Sequence, residues 1–102
     1  MTAKDRKLQR LLGFPPRDKN PLRPRVEDWL LTFLSSKWGI VTSGLTYFTP
    51  VERILVAGGD KNDLLGIYVA ADCEFGIKTG VAVDKIKKVG DIVNYILQYL
   101  HN

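Results

Sequence analysis

A chain of 102 residues with 45% hydrophobic side chains and a formal charge of +4 has the size of a single domain. Such a chain buries enough apolar surface to fold without a disulfide or a structural metal. Its single cysteine, Cys73, cannot pair within the chain and fits a reducing compartment. No apolar run approaches the roughly 20 residues of a membrane span, and no apolar stretch with a small-residue cleavage site follows the basic N-terminus. The expectation is a cytoplasmic protein without membrane contact. The charge is unevenly spread. Residues 1–25 hold eight basic side chains against Asp5 and Asp18, while residues 26–102 hold seven basic against nine acidic. That is a basic arm on a mildly acidic body, a distribution that suits an anionic partner for residues 4–25.

Residues 1–25 read as a basic, proline-rich, flexible extension. Lys4 to Leu12 has the pattern of a short basic helix. Beyond it Gly13, Pro15, Pro16, Pro21 and Pro24 interrupt regular structure, because each proline lacks a donor and restricts its predecessor. The body spans residues 26–102. Its first helix is marked by Val26, Trp29, Leu30, Phe33, Leu34 and Trp38, an apolar stripe of helical period. Glu27 and Asp28 fall where carboxylates oppose the positive helix end, and Gly39 stops the helix. The stretch 40–48 mixes Thr, Ser and Gly with Val, Leu, Tyr and Phe and has no second strand to pair with. It reads as a loop pinned down by its apolar side chains. Thr49-Pro50-Val51-Glu52 has the form of a capped helix start, opening a segment that runs to about Val56.

Asp60 caps the next helix, whose stripe is Leu64, Ile67, Tyr68, Ala71 and Phe75, stopped by Gly76. Asp84 caps a short turn through Ile86. Val89, Ile92, Val93, Ile96 and Leu100 form the inner face of the last helix. The pattern predicts an all-α bundle of four segments, near 25–38, 50–56, 61–75 and 89–100, with a long loop after the first.

Glu74-Phe75-Gly76-Ile77, followed by Lys85-Ile86-Lys87-Lys88-Val89-Gly90-Asp91 and later Tyr95-Ile96, resembles the acyl carrier protein family. There the second helix ends on a similar E-F-G-I, and the final helix opens with a similar K-I-x-x-V-G-D. Trp38-Gly39-Ile40 is similar to the family's L-G-V. The resemblance covers residues 26–100 and implies a four-helix carrier fold of the kind used in fatty-acid and polyketide synthesis. The family attaches phosphopantetheine to the serine of an Asp-Ser-Leu motif at the start of the second helix. Gap-free counting places Asp60 on that aspartate and Lys61 on the serine. A shift of three residues puts Asp63-Leu64-Leu65 there, again without a hydroxyl, and no serine follows Ser43. A phosphodiester link needs a hydroxyl nucleophile, and a lysine ammonium cannot replace it. The family's Ser or Thr cap before V-G-D is Lys88 in this chain, which predicts a less firmly started last helix.

Other chemistry has little support. Asp60 and Asp63 are explained as a cap and a first-turn carboxylate. Cys73 lies opposite the apolar stripe, and the single histidine, His101, is remote in sequence, so no thiol–base pair or zinc site is drawn. Gly58-Gly59-Asp60 lacks the spacing of a phosphate-binding loop. The basic arm lacks a reading helix and stacking aromatics. The expected function is that of a degenerate carrier-like domain, non-enzymatic and without cofactor or metal, which binds a protein partner through Asp60, Lys61, Asp63, Asp72 and Glu74. The alternatives are an acyl carrier with an unconventional attachment residue, and a nucleic-acid-associated protein using the arm.

Overall fold

Why the chain folds as it does is clearest at the helix ends. The computed structural model describes residues 9–11, 21–55, 63–79 and 85–100. Among these residues are three α-helices, α1 (Arg23–Lys37), α2 (Asp63–Phe75) and α3 (Val89–Tyr99), with one 3-10 turn, Val51–Arg53, between α1 and α2 and no strand. The all-helical class is as expected. The second of the four expected helical segments, however, is that single turn.

α1 begins at Arg23, two residues before its expected start. Pro24 is accommodated in the first turn, where its missing donor costs nothing. The early start carries Glu27 out of the first turn, so it does not serve the helix dipole as the sequence suggested. It points inward and is 1% exposed. Val26, Leu30, Leu31 and Leu34 are buried with it. Gly39 closes the helix at φ +66°, a left-handed conformation that glycine adopts without a Cβ clash. The amides of Trp38 and Ile40 then both reach the Leu34 carbonyl, at 3.2 and 3.1 Å.

Thr49 does not cap the turn that follows. Its Oγ1 accepts the Thr46 amide at 2.9 Å instead, and Pro50 offers no side-chain cap. The reason is tertiary. The segment from Tyr47 to Val51 runs antiparallel beside the start of α3, with Val51 N donating to Lys87 O at 2.9 Å and Val89 N donating to Thr49 O at 2.8 Å. Pro50 and Lys88 form an isolated antiparallel bridge. The Thr49 carbonyl, which an α-helix would offer to the Arg53 amide, is thus held by Val89, and Arg53 N donates to Pro50 O at 3.0 Å instead. Val51 and Ile54 nevertheless enter the core.

α2 buries Leu64, Ile67, Tyr68 and Ala71 and ends at Gly76, φ +65°. α3 packs directly against α1 and buries Val89, Ile92, Val93, Ile96 and Leu97. Its start is firmer than Lys88 at the cap position suggested. A lysine side chain has no acceptor, but Asp91 Oδ2 reaches back to the amides of Lys87 and Lys88, each at 3.0 Å, supplying half of a capping box. The expected caps Asp60 and Asp84 lie outside the described residues.

The loop after α1 is pinned by Leu45 and Tyr47, both buried, while Val41 and Phe48 stand out at 80% and 57% exposure. The boundary expected between an extension at 1–25 and a body at 26–102 does not coincide with the packing. Leu11 is 6% exposed and belongs to the core, as does Arg23 to the buried polar groups. Among the described residues no helix is long and apolar enough to cross a membrane.

Among the described glycines Gly90 is the one that a Cβ would bring against neighbouring atoms. A Cβ built on it would lie 2.3 Å from Tyr47 Cδ1 and 2.8 Å from the Tyr47 carbonyl oxygen. Gly66, in contrast, has nothing within 4 Å of such a Cβ. Gly90→Ala should therefore destabilise the fold by about 2 kcal/mol or more through overpacking against backbone. Gly66→Ala should stabilise it by about 0.5–1 kcal/mol by restricting the unfolded chain. Urea unfolding of the two variants measures both signs.

Candidate functional site

Around Glu27 four separate parts of the chain meet through polar groups. Tyr47 Oη donates to Glu27 Oε2. On the other oxygen, Oε1 accepts Arg10 Nε at 2.5 Å and the Leu11 amide at 3.2 Å. Arg23 Nη1 donates to Tyr47 Oη at 3.2 Å and to Asn94 Oδ1 at 2.9 Å, with its guanidinium carbon 5.9 Å from the Tyr47 ring centroid. The 9–11 segment, α1, the loop and α3 are thereby joined. Both oxygens of the buried carboxylate are engaged, and the buried arginine has acceptors, as interior charges require. Next to this cluster Gln9 donates its amide to Asp28 Oδ1 at 2.9 Å and its Nε2 to Thr32 Oγ1 at 3.1 Å.

The cluster joins parts of the chain that are remote in sequence. Its polar groups bond to one another. Burial, together with the bond to Glu27, pushes the Tyr47 phenol up to about 12, which keeps it a donor throughout the physiological range. Tyr68 is 3% exposed, and its hydroxyl has no hydrogen-bond partner among the described residues. Burial raises its pKa as well.

The five residues expected to meet a partner are distributed differently from the reading above. Asp60 and Lys61 lie outside the described residues. Asp63 opens α2 and Glu74 is exposed near its end. At 100° per residue they share a flank, with Asp72 on the opposite one. Asp72 is occupied: its Oδ1 accepts the amide and the hydroxyl of Thr79, both at 3.0 Å, and so fastens the segment after Gly76. Between the flanks the outward face carries Gly66, Val69, Ala70 and Cys73, with Val69 62% exposed. The centre of the expected acidic face is uncharged.

A third region lies on the flank of α1. Trp29, Phe33, Trp38 and Phe75 are half-buried rather than in the core interior. Trp29 stacks on Phe33 at 5.4 Å and meets Phe75 edge-on at 5.5 Å. Arg25 lies 5.5 Å from the Phe75 ring centroid. Arg10, Arg23 and Arg25, three of the eight cations of the basic arm, are thus engaged with the body.

Compared with the models of known protein families, with curated proteins and with solved structures, the chain matches none.

The sequence reading missed the Glu27 joint. The signal was present in part: Glu27 stands four residues before Leu31 and four after Arg23, so these three share the side of α1 next to Val26 and Leu30. Tyr47, Asn94 and Arg10 could not be assigned to it, because they lie 17 or more residues away in sequence.

Two predictions follow from the joint. Glu27→Ala strands a buried phenol and a buried amide and should cost about 3 kcal/mol or more. Arg10→Ala should cost about 1 kcal/mol, because the arginine side chain is 53% exposed and water screens its ion pair. Chemical denaturation of both variants checks the order. The second concerns alkali. The folded state raises the Tyr47 pKa to about 12 above the ordinary value of about 10, so it favours the neutral phenol. That contribution to stability is intact below about pH 10 and is lost as pH rises through about 12. The phenolate absorbance of the wild type should climb together with unfolding in that window, and Tyr47→Phe should remove part of the pH dependence.

Proposed function

We propose that the chain is a carrier-like helical domain that works as a protein-interaction module, without catalysis of its own and without a phosphopantetheine arm. The observation that carries this reading is the outward face of α2. Val69 is 62% exposed there between Gly66, Ala70 and Cys73, with Asp63 and Glu74 along one edge. An exposed apolar centre with a charged margin is the composition of a surface that loses water on docking. The buried polar groups support the same reading from the opposite direction, since the Glu27 cluster is spent on holding the chain together. The resemblance to acyl carrier proteins adds that the second helix is the element such domains present to partners. Lys61, at the position matching the attachment serine, removes the hydroxyl that the arm requires.

A photo-crosslinking residue placed at position 69 should, in the protein's own host cell, form discrete adducts with another protein. The same residue at exposed Ser36 should not. Incubation with coenzyme A and a broad-specificity phosphopantetheinyl transferase should leave the mass of the chain unchanged, whereas Lys61→Ser restores Asp-Ser and is the variant open to modification. A phosphopantetheine adduct on the unaltered chain, at any residue, would replace this reading with that of a working acyl carrier.

A further inference from the structure

Two of the three large apolar side chains that stand most exposed among the described residues, Val41 and Phe48, belong to the loop after α1 rather than to α2. Val41 lies on a hollow of about 590 Å³ whose lining includes Ile40, Leu45, Pro50 and Arg53. The backbone bonds from Tyr47–Val51 to Lys87–Gly90 fix this loop against the start of α3. They bring Lys87 and Lys88 beside the loop, and Lys88 Nζ lies 5.4 Å from the Phe48 ring centroid. Arg53, Lys87 and Lys88 are all exposed. The acidic side chains beside them are Glu52, exposed, and Asp91, whose Oδ2 is already held by two backbone amides.

This edge combines a hollow of mixed lining, in which Ser43 and Thr49 stand among the aliphatic side chains, with nearby cations, the reverse in sign of the Asp63 and Glu74 margin on α2. We propose that it is a second docking surface, which takes an acidic segment of a partner protein carrying apolar anchor residues. Charge complementarity selects the occupant. Carboxylates on the partner meet Arg53, Lys87 and Lys88, while its aliphatic side chains enter the hollow and cover Val41. A concave floor of mixed aliphatic and polar groups suits the inserted side chains of a peptide better than a lipid surface, which is met by protruding ones. Nucleic acid would need stacking platforms. The exposed ring of Phe48 already has a cation near its face, and no aromatic side chain is among the residues that line the hollow. Charge at the margin sets encounter rate and specificity, and the apolar contact holds the complex.

The test uses the full chain, isotopically labelled for amide shifts, and a short synthetic peptide of glutamate and leucine as probe. Shifts should concentrate at Val41, Leu45, Phe48, Arg53 and Lys88, and affinity should fall as salt is raised. The charge-reversed pair Arg53→Glu with Lys88→Glu, and separately Val41→Asp, should each weaken binding about tenfold or more. These side chains are exposed, so thermal melting should show the fold unchanged. A glutamate-only peptide should bind more weakly than the mixed one. The proposal is overturned if shifts are absent or centre on α2, or if the variants bind as the wild type does. It is also overturned if anionic phosphatidylglycerol vesicles or a single-stranded oligonucleotide bind this edge more tightly than the peptide.

Discussion

Gly90 lets the second residue of α3 meet the backbone of Tyr47 at a separation that any Cβ would forbid. From that contact the rest of the arrangement follows. The Gly90 amide donates to the Tyr47 carbonyl at 3.1 Å, which fixes the tyrosine backbone on the end of α3. Its ring then passes over the N-terminal part of α1, where the hydroxyl finds Glu27 on one side and Arg23 on the other. Glu27 in turn holds Arg10 and the Leu11 amide. Without the close approach the phenol would not reach, and a buried carboxylate would lose the donor that makes its burial tolerable. One backbone contact therefore organises a loop, two helices and a segment that the sequence assigned to an extension.

The division of charge takes on a different meaning in three dimensions. By composition the chain is a basic arm on an acidic body. In space, Arg10 and Arg23 are spent inside the joint and Arg25 lies over Phe75, so part of the arm's charge is structural. The acidic residues of the body divide as well. Glu27 is interior, Asp72 fastens Thr79, Asp91 caps α3, and Asp63 and Glu74 remain at the surface of α2. Among the described residues, exposed Val69 lies beside the carboxylates of α2, while exposed Val41 and Phe48 lie on the loop that runs beside Lys87 and Lys88.

Sequence periodicity by itself determined the three α-helices, their apolar faces and the glycines that end two of them. These features depend on local rules: a stripe repeating every 3.6 residues, and a left-handed residue where the helix must stop. The exposed position of Cys73 was legible for the same reason. The sequence also determined that the loop after α1 would not be a strand, since it had no partner strand to pair with. Tertiary structure alone decided the fate of the segment near 50–53, where the Val51 amide and the Thr49 carbonyl pair with Lys87 and Val89 and one 3-10 turn forms instead of a helix. It alone turned Glu27 from a first-turn carboxylate into the centre of the interior and drew Gln9–Leu11 onto the body. In each of these cases the deciding partner lies many residues away. The energy of a buried polar group is set by what surrounds it in space, which no reading of its chain neighbours contains.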